Sequence, residues 1–229
     1  MSWLSGYVRS SVGAKQVMAL TGLGLLLFAL VHMLGHLGMF GGQSAYNNYA
    51  AFLQGLGGLK WLARGGLLAI FILHVATGIS LAMANKAARP VPYAMYKPAA
   101  STVMSRSMRM TGLVILAFVI YHLVHFTFGQ VQPEYFHMKD AAGRIDAYSM
   151  FVRGFQNVPI FASYVVAVGL LSTHLAHGAS SWLQTLGLRH PKYDGLMAKL
   201  GPALSAVLFL GYMAPPVAVL LGVIKLPGA

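Results

Sequence analysis

The chain has 229 residues, of which 57% are apolar and 9% charged, and its mean hydropathy is +0.67. A soluble domain of this size carries about 25% charged residues, so the composition excludes a soluble fold with a large core and points to the bilayer. With no cysteine, a disulfide framework, a thiolate metal site and a cysteine nucleophile are excluded; the formal charge of +12 sits in loops between apolar runs and reads as membrane orientation, not nucleic-acid binding.

Five apolar runs, each near the ~20 residues that cross a bilayer, are predicted as helices. They cover 17–39, 64–84, 109–129, 158–181 and 203–223. The polar lead Ser2 to Gln16 is long for a signal peptide, and no small-residue cleavage site follows the first run, so that run is expected to remain a membrane helix. The stretch 40–63, rich in Gly, Asn, Tyr and Gln, is expected to cap the helices. The loop 85–100 carries Pro90, Pro92 and Pro98, which oppose a regular helix. Within 130–157 a short interfacial helix is predicted around Asp146 to Gln156. Pro215 and Pro216 lie inside the fifth helix and are expected to kink it. The expected fold is an all-α integral membrane protein, a single membrane domain over 1–229. Four helices form a bundle and the fifth packs alongside.

Loop charges predict the orientation. Arg9, Lys15, Lys86, Arg89, Lys97, Arg106, Arg109, Arg189, Lys192 and Lys199 fall on one side with one acid, Asp194. The other side has Lys60, Arg64, Lys139, Arg144, Arg153 and Lys225 against Glu134, Asp140 and Asp146. The first side is expected to be cytoplasmic, with the N-terminus inside and the C-terminus outside.

Four of the apolar runs each carry a histidine deep inside: His32, His74, His122 and His174. An ionisable ring in hydrocarbon needs a partner. One per helix on four successive helices reads as two pairs of axial ligands for two haems, held noncovalently in a chain without cysteine. An internal repeat organises them. Thr21-Gly22 precedes His32 by nine intervening residues, and Thr111-Gly112 precedes His122 by nine. His74 and His174 are followed, after three residues, by Gly78 and Gly178. Depth along the helices, at ~1.5 Å per residue, pairs His32 with His122 in the outer half and His74 with His174 further in. Bis-histidine ligation leaves no open iron position, which suits electron transfer. Gly22, Gly35, Gly78, Gly112 and Gly178 allow close backbone approach to a macrocycle, or ordinary helix packing.

His36, His125 and His177 lie three or four residues after ligand candidates, on neighbouring faces. They are open to bonding haem propionates, lining a quinone pocket or satisfying a helix carbonyl. On depth alone, His36 with His125 is an alternative to His32 with His122. His137 and His190 read as structural loop residues.

Together the stretches TGLGLLLFALVH, FILHVATG, RMTGLVILAFVIYH and LLSTHLAHG resemble the cytochrome b membrane anchor of succinate:quinone oxidoreductases. The form is the dihaem single-anchor one with five helices, found in bacterial succinate dehydrogenases and quinol:fumarate reductases. The resemblance covers nearly the whole chain. It implies that His32, His74, His122 and His174 ligate two b haems, first with third and second with fourth, which favours His32 over His36. It implies a flavoprotein subunit and an iron–sulfur subunit on the cytoplasmic side of the bacterial inner membrane. Succinate and fumarate chemistry belongs to those subunits; this chain has no catalytic residue of its own. It would pass electrons between the iron–sulfur subunit and quinone, which in dihaem members of this respiratory and tricarboxylic-acid-cycle family is usually menaquinone. Some fumarate reductases of the family have a glutamate two residues before the fourth ligand. This chain has Ser172 there, and no acid in any apolar run. Arg153 falls near a family arginine that meets an outer haem propionate. Quinone is expected near the outer haem, with Gln43, Tyr46, Asn47, Asn48, Arg64 and Gln130 as polar candidates; a site near Lys15, Arg109 and His177 is the rival. Other readings are the cytochrome b subunit of a hydrogenase or formate dehydrogenase, and a haem-free transporter with a histidine proton relay.

Overall fold

A computed structural model describes residues 3–88, 91 and 101–228. The protein is all-α, and among the described residues five helices are long and apolar enough to cross a membrane. After a short helix α1 (Trp3–Arg9), they are α2 (Ser11–Leu37), α4 (Gly58–Ala87), α5 (Val103–His122), α8 (Val158–Thr185) and α9 (Asp194–Leu220). α2, α4, α8 and α9 are longer than their apolar runs because polar residues extend them, whereas α5 gives way to a π-helical turn at Leu123–Thr127. Between them lie α3 (Gly42–Gly55), α6 (Pro133–Phe136) and α7 (Ala147–Gln156). The stretch 40–63 is therefore largely helical, and the short helix expected around Asp146 to Gln156 is α7. α9 continues through Pro215 and Pro216. Pro90, Pro92 and Pro98, with Arg89 and Lys97, lie outside the described residues.

Local chemistry sets the helix ends. The Asp146 side chain accepts from the Ser149 backbone N–H at 3.0 Å and starts α7. Asn157 Oδ1 accepts from Ile160 N at 3.2 Å, at the start of α8. α8 is stopped by Gly187, just past its last residue, whose φ of +72° is open to glycine. Leu188 N donates to Leu183 O and Gly187 N to Gln184 O, the paired bonds of a left-handed helix stop.

α2 divides its faces as a lipid-exposed helix does. Leu20, Leu27, Val31 and Leu34 are exposed, while Ala19, Leu26 and Met33 are buried. Apolar groups facing outward match hydrocarbon, and the helix satisfies its own backbone.

The chain divides into two compact units that share the long helices. One comprises residues 1–28, 65–113 and 173–205; the other comprises 29–64, 114–172 and 206–229. The second unit holds an aromatic core. Tyr148, Phe151, Val152 and Phe155 recur at helical spacing on α7 and pack with Met39, Tyr46, Ile160 and Tyr164. In the same unit α9 meets α2, where Tyr212 donates to the Ala29 carbonyl at 2.7 Å.

α3 and α7 are joined by a polar latch. Asn47 is fully buried, and its amide donates to Asp146 at 2.9 Å and Asp140 at 3.1 Å. Its oxygen accepts from Tyr148 N at 3.0 Å. Gln43 donates to Asp146 at 2.8 Å, and Arg144 pairs with Asp140 at 2.7 Å while also donating to Asn48.

Candidate functional site

Each unit contains one of the histidine pairs expected from the repeat. In the first, the rings of His74 on α4 and His174 on α8 have centroids 6.5 Å apart. In the second, His32 on α2 and His122 on α5 have centroids 5.9 Å apart. Two imidazoles sharing one iron, each bonded through nitrogen at about 2 Å, hold their ring centres roughly 6 Å apart. Both pairs stand at that spacing.

The His74–His174 pair is braced by the repeated Thr-Gly dipeptides. Thr21 Oγ1 is 2.7 Å from the Val17 carbonyl and 3.1 Å from His74 Nδ1. A hydroxyl has one proton. Given to the carbonyl, it leaves the oxygen to accept Nδ1–H from the ring. Nε2 then keeps its lone pair, the form that binds a metal. Thr111 repeats the arrangement, with Ser107 O at 3.1 Å and His174 Nδ1 at 3.1 Å. Of the two neighbouring glycines, Gly22 gives its ring clearance and Gly112 lies at ordinary contact distance. A Cβ on Gly22 would lie 3.2 Å from His74 Cε1, and one on Gly112 would lie 3.5 Å from His174 Cε1. Gly78 instead faces the flexible end of Met18, and a Cβ on Gly178 would meet nothing within 4 Å. Gly35 admits the Tyr49 hydroxyl.

The His32–His122 pair has aromatic and histidine partners. His36 Nε2 is 3.2 Å from His32 Nε2, and His36 Nδ1 is 2.9 Å from the Tyr46 hydroxyl. Iron bound at His32 Nε2 would replace the His36 contact. His122 Nδ1 is 3.3 Å from the Tyr164 hydroxyl, which is also 3.0 Å from His125 Nδ1. His125 is buried within a π-helical turn, Leu123–Thr127. The paired spacing and the imidazole donor set are of the kind a haem iron could use at each pair.

The remaining candidates separate. Gln43, Asn47 and Asn48 are committed to the latch. Arg64 lies over the Trp61 ring, and Gln130 donates to the Phe128 carbonyl. Tyr46 alone of that group touches a site histidine. It lines a cleft of about 140 Å³ with His32, His36, Tyr49 and Leu53. Arg153 is on α7, over the Tyr135 ring, and borders a different, open cleft with Gln43 and Lys139. His177 is partly buried, whereas His137 and His190 are exposed; Ser172 is buried. Lys15 and Arg109 are exposed.

In the sequence Thr21 and Thr111 stand out only as markers of a repeat. Their spacing shows the duplication but not that each serves a histidine on another helix. Tyr164 and Gln132 carried no motif at all. Comparison with protein-family models, curated proteins and solved structures finds no match to this chain.

Proposed function

We propose that this chain is the dihaem cytochrome b anchor of a succinate:quinone oxidoreductase, carrying electrons between an iron–sulfur subunit and membrane quinone. The observation that carries the reading is the pairing of four helix-borne histidines at 5.9 and 6.5 Å. His32 with His122 would hold one haem, and His74 with His174 the other. Haem held by these two pairs would supply a one-electron iron couple. The protein's part is to present neutral imidazole nitrogens, fix their tautomers and exclude water. The cleft beside His32, with Tyr46 and His36 as polar groups and Leu53 as an apolar wall, suits a quinone ring. The cytoplasmic orientation, the inner membrane and the flavoprotein and iron–sulfur partners belong to the same proposal and rest on the sequence resemblance and on loop charge.

The test is the native complex, purified in detergent. Two low-spin bis-histidine haems per chain are expected, reduced on addition of succinate, with flavoprotein and iron–sulfur subunits co-purifying. Replacing His32, His74, His122 or His174 by Ala should remove one haem or block assembly, whereas His177→Ala should keep both. A haem-free wild-type protein sinks the cytochrome reading. Two haems with hydrogenase or formate dehydrogenase partners would keep the cytochrome and discard the succinate assignment.

A further inference from the structure

We infer that Tyr164 is the positioning residue for His122, and that His125 and Gln132 set the direction of its hydrogen bond. This inference rests on the proposed haem reading and deepens it at one of the two pairs.

Four side chains of the second unit form a continuous polar row. Gln132 Oε1 is 3.2 Å from His125 Nε2; His125 Nδ1 is 3.0 Å from the Tyr164 hydroxyl; that hydroxyl is 3.3 Å from His122 Nδ1. His122 and His125 are three residues apart, which on an α-helix puts them on neighbouring faces. The π-helical turn Leu123–Thr127 begins between them, and both Nδ1 atoms reach the same phenol.

A row of this kind has two possible proton directions. In one, the Gln132 carbonyl accepts Nε2–H from His125. His125 Nδ1 then holds a lone pair and accepts the Tyr164 proton. The phenol has spent its only proton, so its contact with His122 must be Nδ1–H donated to the phenol oxygen. His122 Nε2 is left as a lone pair. In the other direction, the Gln132 amide donates to His125 and every later bond reverses. Tyr164 would donate to His122 Nδ1, and Nε2 would carry the proton. Only the first direction gives His122 a nitrogen able to bind iron. A residue three hydrogen bonds away thus decides whether a ligand is ready. The same bonds occupy both nitrogens of His125, so it acts through Tyr164 and not as an axial ligand.

An Nδ1–H donated to an acceptor makes imidazole a stronger donor to iron and favours the oxidised metal. In the purified wild-type complex, one haem is the one lost in His122→Ala. Tyr164→Phe keeps the aromatic ring but removes the acceptor. It should retain both haems, raise the midpoint potential and alter the low-spin electron paramagnetic resonance signal of that haem, and leave the other haem unchanged. Gln132→Leu should raise the same potential by less, and Gln132→Glu, which can only accept when ionised, should hold it at or below wild type. Tyr164→Phe with both potentials and both signals at wild-type values overturns the inference. If that variant does not assemble, the Gln132 pair decides: equal potentials for Leu and Glu also overturn it. A wild-type complex without two bis-histidine haems refutes the functional proposal instead.

Discussion

The hydroxyl of Thr21 on α2 lies 3.1 Å from Nδ1 of His74 on α4. Thr111 on α5 meets His174 on α8 at the same distance. Thr21 shares its helix with His32, and Thr111 shares its helix with His122. Each Thr-Gly dipeptide therefore braces a histidine of the pair to which its own helix contributes no ligand candidate. One duplicated helix carries two duties: a histidine for one pair and a hydroxyl for the other.

That crossing makes a sharp prediction. Thr21→Val is close in shape but cannot accept Nδ1–H from His74. Loss of such an orienting partner costs about 10–100-fold in metal affinity. Haem titration of the depleted protein should show one weakened site in Thr21→Val. Thr111→Val should weaken the same site, while Thr21→Ser restores it. Weakening of the haem held by His32 and His122 would refute the assignment.

The glycines should sort by what stands opposite them. Gly22→Ala places a Cβ 3.2 Å from His74 Cε1, on a ring held by Thr21 and unable to yield freely. Partial loss of one haem is expected in the absorption spectrum. Gly178→Ala meets no protein atom within 4 Å, so it should leave the His174 ring in place and gain roughly 0.5–1 kcal/mol of helix stability. Equal haem content in the two variants would show that ring clearance is not what Gly22 supplies.

The spanning helices and the four histidines were legible because hydrocarbon imposes a strong composition and makes a buried ionisable ring conspicuous. The latch was not. In the sequence Asn47 and Gln43 read as quinone candidates, since a polar residue between apolar runs says nothing of the acid it meets about a hundred positions later. Tyr164 was hidden for a different reason. A tyrosine in an apolar run looks like packing until the π-helical turn brings two imidazoles to its hydroxyl. Tertiary approach, not local pattern, defines both features.

The latch predicts an acid boundary. The Arg144 hydrogen bond, opposed by burial and aided by Asn47 and the backbone N–H groups of Arg144 and Ala142, lowers the Asp140 carboxyl to about 2. Burial pushes Asp146 up, but bonds from Asn47, Ser149 and Gln43 outweigh it and bring the group below its ordinary value. Folding thus favours the ionised acids. Their contribution is complete above the ordinary carboxylate value of 3.8 and is lost as pH falls towards about 2. Proteolysis of the 138–149 segment should therefore stay slow from pH 7 to 4 and accelerate below that. Asn47→Ala should loosen the segment even at pH 7, because each buried polar group left unpaired costs about 1–3 kcal/mol. Loosening of the wild type between pH 7 and 5 would contradict this account.

The last prediction concerns the proposed hydrophilic partners. Arg106 and Arg109 are exposed near the start of α5, whereas Arg189 already pairs with Asp194 at 2.7 Å. An exposed cation without a carboxylate is the better candidate for attraction to an acidic subunit surface. Such attraction is screened within ~8–10 Å at physiological salt, so its loss should be most visible in a salt series. Arg106→Gln with Arg109→Gln should release the flavoprotein and iron–sulfur subunits at lower salt than wild type, while Arg189→Gln should change retention less. Topology is to be checked in parallel, because the same charges bias orientation. Release curves that coincide for wild type and the double variant, with topology unchanged, would leave these arginines an orienting role alone.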